Sequence, residues 1–169
     1  MSGSFRRGLV ALTLAGLAAR LLFVILEPAA GPVGDERMWT VWGTKVIPSA
    51  EVGFSPLAFR FVFHPPLYPY FIAVLYALFG TLTAVKVAQC VVGALLVPAV
   101  GGIGLRALGE RPALAAAGIA AFYPEIVWFC AHFWAATVFT VLVWWGMERV
   151  IEADARESAR LAAVAGLLW

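Results

Sequence analysis

Charge is what this sequence has least of: only 13% of its residues are Asp, Glu, Lys or Arg, where a soluble domain carries about 25%. Hydrophobic residues make up 63% against about 45–50% in soluble chains, and the mean hydropathy is +0.91. A chain of this composition is expected to be an integral membrane protein. The net charge of +2, with Lys and Arg scattered between apolar runs, excludes a nucleic-acid-binding face. Cysteine is nearly absent as well. Cys90 and Cys130 both lie inside apolar runs without CxxC spacing, which excludes a disulfide framework and a thiolate metal or redox centre. They read as small buried hydrophobes. Missing too are a Ser/His/Asp set, a glycine-rich phosphate loop and a metal-spaced His/Cys cluster.

What the chain does have is long apolar runs. The first, residues 8–26, follows Arg6-Arg7 and is long enough to span a bilayer, which takes about 20 residues. A cleaved signal peptide is the competing reading, with Ala29-Ala30 as its cleavage site, but Arg20 divides a run longer than a signal core. Arg20 itself reads as shallow enough to snorkel to the surface. Further spans are expected at 85–105, 113–125 and 128–147, and 161–169 reads as the start of another, so the chain looks like the N-terminal part of a longer protein. The charged stretch 148–160 reads as a solvated cytoplasmic helix without chemistry.

Between the first two spans lies a long polar interval, residues 27–83. Residues 35–46 can form a short helix lying on the membrane, with Asp35 and Glu36 in its first turn and Trp39 and Trp42 at the interface. Residues 67–79, opened by Pro65-Pro66 and interrupted by Pro69, are short for a span. If they do not cross, Arg6, Arg7, Arg106, Arg111, Arg149, Arg156 and Arg160 fall on the cytoplasmic side, with Arg37, Lys45, Arg60 and Lys86 outside. That distribution obeys the positive-inside rule, and the alternative reverses it. The expectation is therefore an all-α multi-span bundle, N-terminus cytoplasmic, whose first outer loop carries two membrane-surface helices.

This topology collects Asp35-Glu36, His64, and Glu125 with His132 on the outer side. A carboxylate there can act as general base toward a hydroxyl or hold a divalent cation. A His or Arg beside it can meet a phosphate. Each residue also has a plainer reading: Asp35 as an ordinary helix N-terminal acid, His64 as a loop histidine before a proline turn, Glu125 as a solvated turn residue, and His132 as packing.

The segments G-D-E-R-M-W, F-H-P-P-L-Y-P-Y-F-I-A-V-L-Y-A-L-F-G and A-A-F-Y-P-E-I-V resemble, in order and spacing, the start of a membrane glycosyltransferase of the GT-C fold. The similarity is to the group of protein O-mannosyltransferases and lipid A aminoarabinose transferases. It implies a plasma-membrane enzyme moving a sugar, with inversion, from a polyprenyl-phosphate donor to a hydroxyl of a lipid, glycan or protein acceptor on the extracytoplasmic side. The family's loop carboxylate corresponds to Asp35, with Glu36 its partner, so these are the expected catalytic residues. His64 falls at the position before Pro-Pro that sits close to the donor phosphate in the family; Arg37 and Arg60, on the same outer loop, are this chain's further candidates for binding the donor phosphate. Where the family carries a second acid after Tyr-Pro, this chain has Ala135-Ala136, leaving Glu125 as the candidate substitute. Asp35 is also the candidate ligand for a divalent metal cation. The rivals are a noncatalytic membrane subunit and a transporter- or flippase-like module binding lipid phosphate. No internal repeat of the transporter kind is visible.

Overall fold

A computed structural model describes residues 1–27, 31–32, 34–46, 67–155 and 159–168. The described residues are helical, without a strand: α1 Gly3–Leu26, α2 Asp35–Val41 running into a π-turn Trp42–Val46, α3 Leu67–Phe79, α4 Leu82–Ala94, α5 Leu96–Leu108, α6 Glu110–Phe122, α7 Pro124–Ala131, α8 Ala136–Ala155 and α9 Ala159–Leu168. This is an all-α membrane architecture.

Local chemistry sets the breaks. Ser2 caps α1 by accepting the Phe5 amide at 3.1 Å, and Glu27, followed in the sequence by Pro28, is extended at φ −70°, ψ 129°, as a residue before proline must be. Gly109, at φ +85°, makes the tight turn between α5 and α6, a conformation open to glycine at no steric cost. Pro98 lacks an amide donor, and the chain loosens just before it at Leu95, whose carbonyl is taken by the Trp145 indole at 2.9 Å.

Leu82–Leu108 is nonetheless apolar and long enough, at 27 residues, to cross a membrane, as is α1 with 24 residues. α6 and α7 form a third candidate span bent by 42° at Tyr123. By contrast α3, with 13 residues, covers only about 20 Å at 1.5 Å per residue, against a hydrocarbon core about 30 Å thick.

Antiparallel packing of these runs separates two ends. At one end Ser2 bonds Glu110 through its backbone amide and its hydroxyl, both at 2.5 Å. There too Arg106 bonds Glu148 at 2.7 Å and Arg149 reaches Glu152 at 2.6 Å. Glu148 and Glu152 are buried, so the front of the stretch expected to be solvated is instead an ion-paired seam fastening α8 to α5. At the other end lie Glu27, α2, α3 and the turn between α7 and α8.

Small residues let the helices approach closely. A Cβ on Gly104 would stand 3.0 Å from the Ala113 Cα, and one on Gly101 would stand 2.5 Å from Leu9 Cδ1. α1 presents Val10, Leu14, Leu22 and Ile25 outward, and only 11% of its apolar window is buried. That exposure suits a helix facing lipid.

Candidate active site

The α6–α7–α8 run is interrupted twice, and each interruption strands backbone carbonyls in an apolar setting, where an unpartnered polar group costs several kcal/mol. Two buried side chains meet them. At the first break, Arg20 donates from Nη1 to Ala121 O at 2.7 Å and to Gly16 O at 2.8 Å, and from Nη2 to Ala120 O at 3.2 Å. The expectation that Arg20 snorkels outward therefore fails. The residue is wholly buried because the end of α6 supplies acceptors at its depth.

At the second break, Gln89 donates from Nε2 to Phe129 O at 2.7 Å and to His132 O at 2.5 Å, while its Oε1 accepts the Tyr68 hydroxyl at 2.8 Å. Burial, reinforced by the nearby Glu36, pushes the Tyr68 phenol above its ordinary range, so it remains a donor to Gln89.

On this support sits a polar cluster. The Glu36 side chain, 8% exposed, accepts the Phe133 amide at 2.8 Å and lies 3.0 Å from His132 Nδ1. On the opposite edge of the imidazole, Nε2 is 2.7 Å from Glu27 Oε1. The ring also leans on Trp128, with centroids 4.0 Å apart. One histidine thus touches the end of α1 and the start of α2 from the turn between α7 and α8. Phe133, whose amide Glu36 holds, belongs to a buried apolar cluster with Trp39, Trp42, Tyr68, Ile72 and Val85, in which Trp39 stands edge-on to Tyr68 at 5.5 Å. The fit of the π-turn on α3 is close: a Cβ at Gly43 would fall 2.4 Å from Ile72 Cγ2.

Of the residues expected from the sequence, Glu36 and His132 are brought into contact. Asp35, at the first position of α2 after Gly34 (φ +54°), is exposed, as is Arg37. Glu125 stands exposed in the first turn of α7 and has no ion-pair partner among the described residues. His64 and Arg60 lie outside the described residues. Cys90 and Cys130 are buried free thiols. Among the described residues no three His, Cys, Asp or Glu side chains converge as a metal site requires, and the neighbour of Asp35 is turned away toward His132.

Three participants went unnoticed in the sequence: Glu27, Gln89 and Lys86. Gln89 had a signal, being the lone amide in an apolar run. Glu27 closes the first apolar run just before Pro28. Lys86 was expected on the outer side, but its position 5.3 Å above the Phe133 ring could not be read without the fold.

The model of the dolichyl-phosphate-mannose-protein mannosyltransferase family matches residues 63–168. That stretch includes His64, Glu125 and His132 and begins after Asp35 and Glu36. No curated protein and no solved structure matches the chain. The match covers well over half of the 169 residues, and the chain belongs to the dolichyl-phosphate-mannose-protein mannosyltransferase family, a group of glycosyltransferases of GT-C type.

Proposed function

We propose that this protein transfers a sugar, mannose in the first instance, from a polyprenyl-phosphate donor to an acceptor hydroxyl on the extracytoplasmic side, with inversion. The observation that carries the reading is the acidic pair at the head of α2: Asp35 faces outward, while Glu36 is fixed in a buried polar cluster. An exposed carboxylate on a fixed helix start is suited to take the proton of an acceptor hydroxyl as it attacks the anomeric carbon. Arg37 is exposed two residues further along α2, about 200° around the helix axis from Asp35, and keeps, through the length of its side chain, the proposed role of balancing charge on the departing lipid phosphate, as do His64 and Arg60. No step is assigned to a divalent cation.

Orientation is supported by charge. Arg6, Arg7, Arg106, Arg111 and Arg149 gather at the end where Ser2 meets Glu110, whereas Arg37, Lys45 and Lys86 gather at the end holding Asp35. The positive-inside rule places the first end, with the N-terminus, in the cytoplasm. Incubating the purified full-length protein with a β-linked polyprenyl-phosphate mannose and a panel of hydroxyl acceptors tests the reading. An α-mannoside product and released polyprenyl phosphate are expected. Tight donor binding with no transfer to any acceptor would favour a noncatalytic lipid-phosphate-binding subunit instead.

A further inference from the structure

We infer that Glu36 and His132 form a clamp that positions Asp35, so that the two carboxylates of the acidic pair have different tasks. The inference rests on the proposed transferase reading for its kinetic consequence, and on the geometry alone for the clamp.

Successive residues on a helix point roughly 100° apart, so Asp35 and Glu36 leave α2 in different directions. Asp35 is exposed, and Glu36 is occupied: Oε1 accepts the Phe133 amide at 2.8 Å and faces His132 Nδ1 at 3.0 Å. A carboxylate already engaged on both counts and buried is poorly placed to touch reacting atoms. It is well placed to fix the pitch of α2. The contact is directional because His132 is fixed in turn. Gln89 holds its carbonyl at 2.5 Å, Trp128 lies against its ring, and Glu27 stands 2.7 Å from Nε2. Glu27 at the end of α1 and Glu36 in the first turn of α2 thereby meet one imidazole, and the head of α2, which carries Asp35, inherits that position. His132 and Glu36 are positioning residues, and Asp35 is the catalytic one.

Side-chain geometry supplies the test, since the amide nitrogen of Asn replaces Nδ1 of histidine and that of Gln replaces Nε2. In the full-length protein, His132→Ala is expected to lower kcat by about 10- to 100-fold while KM for the donor stays within about threefold, as misplacement of a base by an ångström does. His132→Asn restores most of the turnover and His132→Gln does not. Because His132 and Glu36 act on each other, with Glu27 a second contact of the imidazole, the losses are not additive: the double variant Glu36→Ala/His132→Ala is slower than Glu36→Ala alone by much less than the loss seen in His132→Ala. Wild-type kcat in His132→Ala, rescue by Gln alone, or additive losses in the double variant would each overturn the clamp.

If the wild-type protein transfers no sugar to any acceptor, the transferase reading fails, and a distance measurement judges the clamp by itself. Spin labels at Lys45 and Val143 should give a narrow distance distribution in wild type, a broad one in His132→Ala and a narrow one again in His132→Asn. Equal widths in all three refute the clamp.

Discussion

Replacing Gln89 by Leu separates the support beneath the site from the site itself. Leucine nearly conserves the volume and suits an apolar helix, so the loss is confined to polar contacts. Gln89 gives up three short bonds: to Phe129 O at 2.7 Å, to His132 O at 2.5 Å and from the Tyr68 hydroxyl at 2.8 Å. Hydrogen bonds inside membrane proteins are worth about 0.6 kcal/mol on average and up to about 1.7 kcal/mol, so the variant should lose roughly 2–4 kcal/mol. The upper part of that range applies if the carbonyls at the end of α7 find no other donor. Tyr68→Phe, which removes one of the three bonds and leaves Gln89 serving the carbonyls, should lose only about 1 kcal/mol. Reversible unfolding of the full-length protein in mixed micelles measures both. A Gln89→Leu variant as stable as wild type, or no less stable than Tyr68→Phe, would refute the idea that Gln89 holds the α7–α8 break.

Other consequences follow from single contacts. Gly43→Val puts a branched side chain where a Cβ alone would be 2.4 Å from Ile72 Cγ2, and overpacking of this kind costs about 1–3 kcal/mol; limited proteolysis should then cut the segment bearing α2 sooner than in wild type. Arg20→Met removes the donors to Ala120 O and Ala121 O and should lower the unfolding midpoint by more than Arg6→Met, whose side chain is exposed and worth at most about 0.5 kcal/mol. Glu148→Ala leaves Glu152 as the shared acceptor of Arg106 and Arg149; it should weaken the α5–α8 seam, seen as faster amide exchange in α8, without changing KM for the donor.

The sequence disclosed the large divisions because they depend on local properties. Apolar runs of bilayer length, the prolines at 98 and 124 and the glycine at 109 act on their own neighbours, so α1, the long Leu82–Leu108 helix and the bend at Tyr123 are readable from composition and spacing. Cys90 and Cys130 were legible for the same reason. What stayed hidden depends on partners distant in the chain. Arg20 looks like a residue to be carried to the surface until α6, about a hundred positions later, ends beside it. Glu148 and Glu152 look solvated until α5 brings Arg106 against them. His132 looked like packing because neither of its carboxylate neighbours, Glu27 and Glu36, is near it in sequence. A buried ionic cluster is costly unless its members meet with good geometry, and that geometry exists only once the helices are assembled.

Asp35 bears the proton transfer that the proposed reaction requires. In the full-length protein supplied with polyprenyl-phosphate mannose, Asp35→Asn is expected to cut kcat by about 10²–10⁴-fold, the range for loss of a general base. Membrane abundance and donor binding should be unchanged, because the exposed side chain contributes nothing to the packing of α2. An Asp35→Asn protein that turns over at the wild-type rate would contradict the account.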